Sequence, residues 1–173
     1  TDKSRRYFRL VGAGAATVDV LDDSWFQYRD KGFLPARLVK SLGDGLLAEF
    51  GSVFDAVECA IAIQAGMVKR DEATRPQHLI RLRIGINLGD VIIEDSDIYG
   101  DGVNIAARLE GLAEPGGICI SDTVYKNVRA KLDLTFEDLG LQHLKNIVEP
   151  IHAYRIVLRA RKAPTEPFGD LSP

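Results

Sequence analysis

Asn104 and Arg108 stand four residues apart in the stretch DIYGDGVNIAARLEGL, which runs from Asp97 to Leu112. On a helix that spacing puts two side chains on one face, so an amide and a guanidinium can address one ligand together. The turn-forming residues before them leave backbone N–H groups free at the helix start, and these with an arginine favour a phosphate or another anion. The same residues have an ordinary use as well, with Asn104 as a cap near the helix start and Arg108 as an exposed partner of Glu110 or Glu114. A second feature is KSLGDGLLAEF, where Gly43-Asp44-Gly45 separates two short apolar runs. Gly-Asp-Gly makes a good hairpin turn in its own right. A carboxylate at a hairpin tip is equally a hard oxygen donor for Mg²⁺, which keeps substrate phosphates as further ligands.

The elements that must hold these groups follow from apolar periodicity. RLVKSL and LLAEF read as the two strands of a hairpin closed by Gly43-Asp44-Gly45. Val53, Ala56, Val57, Ala60, Ile63 and Met67 recur at helical spacing after Ser52, which predicts an amphipathic helix from about Val53 to Lys69 with Asp55 completing an approximate capping box. LIRLRIGINLGDVIIED is rich in β-branched residues and predicts two strands meeting near NLG. Its glycines read as structural, because GINLGDV lacks the Gly-Lys-Ser/Thr ending of a phosphate loop and the strand-to-helix setting of a dinucleotide fingerprint. A helix follows from about Val103 to Ala113, stopped by Pro115-Gly116-Gly117. ICIS predicts a buried strand and DTVYKNVRAKL a short helix capped by Ser121 or Asp122. LTFEDLG, LQHLKNI and PIHAYRIVL each read as a strand closing the domain.

The bulk numbers bound the function. At 173 residues the chain is the size of one domain. Hydrophobic residues at 46% and charged residues at 27% fit a globular protein. A net charge of -3 argues against a dedicated nucleic-acid binder, which needs a basic excess against phosphate. Cys59 and Cys119 sit in separate apolar stretches without a partner at metal-ligand spacing, so buried reduced thiols are expected, which favours the cytoplasm. The sequence holds no apolar run long enough to span a bilayer, and no membrane contact by this domain is expected. Strands interleaved with helices, one pair forming a hairpin, imply a mixed or antiparallel sheet packed by helices.

KSLGDGLLAEF, RIGINLGDVIIEDSDIYGDGVNIAARLEGLAEPGGICIS and FEDLGLQHLKNIVEPIHAYRI, in that order, together resemble the class III nucleotidyl cyclase catalytic domain, and particularly the bacterial adenylate cyclases. The resemblance implies a ferredoxin-like α+β fold that forms a head-to-tail homodimer, with active sites built at the interface from both subunits. The implied reaction turns ATP into 3′,5′-cyclic AMP and pyrophosphate, with two Mg²⁺ or Mn²⁺ ions per site. By position, Asp44 matches the second metal aspartate, while Lys40 and Asp97 match the lysine and aspartate that recognise adenine. That pair suits adenine on chemical grounds, since an ammonium can donate to N1 and a carboxylate can accept from the exocyclic amine. Guanylate cyclases typically carry Glu and Cys in those places. Asn104 matches the residue that orients the ribose, Arg108 the transition-state arginine, and Lys145 a contact to the triphosphate.

Residues 1–32 depart from the family pattern. The first metal aspartate belongs in an N-terminal strand, and Asp19 in TVDVLDDS is its nearest candidate, with Asp22 and Asp23 close by. The expected organisation is one catalytic domain over 1–162 and a mobile tail over 163–173. The alternative reading is a catalytically weak cyclase-like module that binds nucleotide or a regulatory partner; a guanylate cyclase is opposed by Lys40 and Asp97.

Overall fold

The computed structural model of the chain describes residues 6–11, 36–42, 45–72, 81–89, 92–94 and 97–159. Nine strands and three helices occur among them: β1 (Arg6–Val11), β2 (Ala36–Leu42), β3 (Gly45–Phe50), α1 (Val53–Glu72), β4 (Arg83–Leu88), β5 (Ile92–Glu94), β6 (Asp97–Tyr99), α2 (Asp101–Leu112), β7 (Ile118–Ser121), α3 (Asp122–Val128), β8 (Thr135–Gln142) and β9 (Ile151–Val157). Seven strands form one sheet in the order β2-β3-β1-β4-β7-β9-β8, and β5 and β6 pair separately as an antiparallel ribbon. The first four sheet strands are all antiparallel, a ferredoxin-like arrangement in which β1 lies between β3 and β4. β7 joins β4 in parallel, and β9 and β8 follow antiparallel. The fold is α+β with a mixed sheet packed by helices.

Alternation along the strands sorts the core between two faces. Ile84, Ile86, Ile118, Ile120 and Ile156 point to the face covered by α1 and α3, where they meet Val57, Ala60, Ile63, Val124 and Val128. Each such large aliphatic side chain contributes roughly 1.5–3 kcal/mol on full burial. The opposite face takes the intervening residues: Cys119 and Ala153 pack under Leu109 and Ala113 of the α2 region. Buried Gln64 of α1 crosses to the main chain, donating through Nε2 to the carbonyls of Leu82 and Gly117, each at 3.1 Å.

Local signals hold where the chemistry is short-range. The Phe54 N–H donates to Ser52 Oγ at 3.2 Å at the start of α1, and Ser121 is the N-cap of α3, accepting from the Val124 N–H at 3.5 Å. α1 runs on to Glu72 rather than stopping near Lys69. The expected strand at LQHLKNI is corrected. β8 continues from Thr135 through Gly140 to Gln142 as one strand, and the residues after it leave the sheet as a turn. The register shifts between Asp138 and Gly140, where Gly140 has φ 72°, so the glycine absorbs an extra residue as a bulge instead of ending the strand.

Cys59 and Cys119 are buried and unbonded, and burial pushes each thiol up to about 12. Among the described residues no helix is long and apolar enough to cross a membrane. The tail from Ala163 onward lies outside the described residues.

Candidate active site

β4 positions α2. A Cβ on Gly85 would run into the backbone of α2 at the Glu110 nitrogen and the Ala106 carbonyl oxygen, so only glycine lets the helix lie this close to the sheet. Asn87 Nδ2, buried, donates to the Gly102 carbonyl at 3.1 Å, and a Cβ on Gly89 would stand 3.0 Å from Gly102 Cα. Near the other end of the helix, Arg83 Nε stands 3.1 Å from Oε1 of nearly buried Glu110. The glycines of GINLGDV are therefore packing residues.

Gly100 is the N-cap of α2, with φ 138° and no side-chain cap bond, and its carbonyl accepts from the N–H groups of Val103 and Asn104, both at 3.2 Å. Asn104 lies a turn inside the helix, exposed, and does not cap it, which corrects the ordinary reading of that residue. Arg108 does not pair with Glu110 or Glu114 either. Glu110 meets Arg83, and Glu114 meets Arg155 at 3.0 Å, which also binds Glu137 at 2.9 Å. Instead the Arg108 Nε–H donates to the main-chain carbonyl of Lys145 at 3.0 Å. Lys145, exposed, stands in a turn from Leu144 to Ile147 closed by the Ile147 N–H on the Leu144 carbonyl at 3.1 Å. The structure thus brings Arg108 and Lys145 together across 37 positions of sequence, with Asn104 one turn away on the same helix.

A second group lies on the hairpin side. Lys40 is in β2 opposite Leu47, just past a shift in register after Leu38. Asp97 is the first residue of β6, opposite Glu94. β6 lies against β2, so the strands that carry them are neighbours. Asp44 and Asp19 fall outside the described residues. Gly45, which follows Asp44, pairs with Leu42 on one side and with Val11, the last residue of β1, on the other. The six residues of β1, Arg-Tyr-Phe-Arg-Leu-Val, include no carboxylate.

Among the described residues no cluster of His, Cys, Asp or Glu could hold a metal ion. What the hairpin offers is one hard oxygen donor, Asp44, placed in sequence between two paired strands. That donor type fits Mg²⁺ or Mn²⁺ when a triphosphate supplies most of the remaining ligands.

Residues 19–157 match the family described as the adenylate and guanylate cyclase catalytic domain. The "Putative adenylate cyclase 3" of Rhizobium meliloti (strain 1021) is 47% identical over 123 residues, 71% of this chain and 21% of that protein. An adenylate cyclase of Streptomyces coelicolor is 36% identical over 89 residues, 51% of this chain and 22% of that protein. The chain therefore spans about a fifth of the length of these two relatives. Among solved structures, an adenylate/guanylate cyclase/hydrolase from Silicibacter pomeroyi superimposes with TM-score 0.76 at 38% identity, covering 90% of this chain and 96% of that one. The adenylyl cyclase CyaB from P. aeruginosa shares the fold with TM-score 0.73 at 23% identity, covering 93% and 97% of the two chains. On the family match and the shared fold, this chain belongs to the adenylate and guanylate cyclase catalytic domain family.

Proposed function

We propose that this domain is an adenylate cyclase of the cytoplasm, converting ATP to 3′,5′-cyclic AMP and pyrophosphate as a homodimer. The bond formed joins the ribose O3′ to the α-phosphorus; the bond broken joins that phosphorus to the oxygen bridging to the β-phosphorus. The hydroxyl proton passes to solvent. The observation that carries the reading is the Arg108 Nε–H on the Lys145 carbonyl, which draws two separately matched segments to one place. Arg108 there serves charge that grows on the reacting phosphate, Lys145 the triphosphate, and Asn104 the ribose. Lys40 and Asp97, on neighbouring strands, serve the adenine edge. Asp44 and Asp19 would hold the Mg²⁺ or Mn²⁺ ions, which when bound lower the pKa of the attacking hydroxyl and balance charge on the leaving group.

The homodimer is the arrangement that membership of the cyclase family implies. β2, with Lys40, is one outer strand and β8, which leads to Lys145, is the other. A second copy set head to tail would bring Asp44 of one subunit to the Asn104, Arg108 and Lys145 of its partner.

The absence of a carboxylate from β1 favours a second reading, a catalytically weak nucleotide-binding or regulatory module. The two separate in an assay of cyclic AMP formation from ATP with Mn²⁺ over a range of protein concentrations, with GTP as competitor and Asp44→Ala alongside. Activity that rises faster than linearly with protein, resists GTP and vanishes in the variant supports the cyclase. Folded, dimeric protein that binds ATP without cyclising it supports the module.

A further inference from the structure

Asn146 is the non-glycine residue with positive φ among the described residues, at 65°. It is the third residue of the turn from Leu144 to Ile147, and Lys145, the second, does not share the positive sign. Negative then positive φ at the two central residues is type II geometry. Types I and II differ by a flip of the peptide between those residues, so the sign of φ at the third decides which way the second residue's carbonyl faces. Here that carbonyl belongs to Lys145, and it accepts the Arg108 Nε–H at 3.0 Å. Asparagine tolerates the left-handed region better than most residues with a side chain, whereas a β-branched residue is a true outlier there.

We infer that Asn146 is a positioning residue: its left-handed backbone turns the Lys145 carbonyl toward Arg108 and so aims the guanidinium. The bond uses Nε, and the other donors of the fork have no protein partner among the described residues, which leaves them for a ligand. Because the bond is exposed, its loss redirects Arg108 without unfolding the domain. The value of this to catalysis rests on the proposed cyclase reading of Arg108; the positioning itself does not.

The test compares Asn146→Gly, Asn146→Ala and Asn146→Val by ¹⁵N NMR of arginine side chains, with the Arg108 Nε–H resonance assigned by its loss in Arg108→Lys. The Gly variant, which accepts positive φ, is expected to keep the wild-type resonance and its slow exchange with water. The Val variant is expected to move that resonance to the position of a solvent-exposed arginine, with Ala between. In turnover of ATP, Val is expected to lower kcat roughly three- to tenfold, the worth of one hydrogen bond, with KM little changed and Gly restoring the rate. A Val variant with the wild-type resonance overturns the proposal, as does a Gly variant that loses as much as Val. If the wild type forms no cyclic nucleotide while the resonance still follows residue 146, the cyclase reading falls and the positioning of Arg108 by Asn146 stands.

Discussion

Gly85 of β4 faces the carbonyl oxygen of Ala106 in α2 with no room between them for a methyl group. The obstruction is helix backbone rather than a flexible side chain, so Gly85→Ala must push α2 off the sheet. Overpacking of this kind costs about 1–3 kcal/mol, which in a domain of this size lowers Tm by roughly 2–12 °C. Since α2 carries Asn104 and Arg108, turnover should fall further than stability alone explains. Thermal melting beside a turnover assay checks this; an unchanged Tm would mean the helix has slack that the packing denies.

Arg108→Ala should reduce turnover by roughly 10²–10³-fold, the usual effect of removing a donor aimed at transition-state charge, while ATP affinity changes much less. Arg108→Lys should not restore the rate, because an ammonium lacks the fork that lets Nε anchor while other donors reach the ligand. Steady-state kinetics with equal losses in kcat and affinity would instead assign Arg108 to ground-state binding.

Asp138 and His152 form an exposed pair, Oδ1 to Nε2 at 2.5 Å, beside stacked Tyr154 and Tyr125. The His152 hydrogen bond, followed by the Gly140 N–H, holds the Asp138 carboxyl below its ordinary value of 3.8. A carboxyl lowered by folding stabilises the fold fully above its unfolded value and loses that contribution as pH falls through the folded value. Asp138→Asn should therefore lower Tm above about pH 4 and make little difference in stronger acid. A deficit that grew as the pH fell below this range would contradict the pairing.

With both thiols pushed up to about 12 and buried, neither Cys59 nor Cys119 should react with iodoacetamide at neutral pH in the native protein. Denaturation in urea should release both for labelling, read as a mass increase of two adducts. Labelling of the native form would show that the sheet opens around Cys119 or the helix around Cys59.

Much of this arrangement was legible because its signals are local. The helix carrying Asn104 and Arg108 is announced by Gly-Asp-Gly and an apolar stripe, and the hairpin by Gly43-Asp44-Gly45 between two apolar runs. The partner of Arg108 was not legible. A main-chain carbonyl has no signature in sequence, and the two glutamates that looked available to Arg108 are taken by Arg83 and Arg155. Asn146 was equally silent, since asparagine serves many turns and only the direction of one peptide makes its φ matter. The first strand escaped for a different reason. Arg6–Val11 is six residues of mixed character, and what makes it a strand is the pairing it finds with β3 and β4, far along the chain.

That pairing governs how the molecule can be cut. A chain shortened to begin at the hairpin would not lose a peripheral piece; it would lose the middle of the sheet. β3 and β4 would each be left with an open row of backbone donors and acceptors, and such rows recruit strands from neighbouring molecules. The expected product is a sticky, aggregating fragment whose inactivity would say nothing about its catalytic residues, because the sheet it needs includes Arg6–Val11.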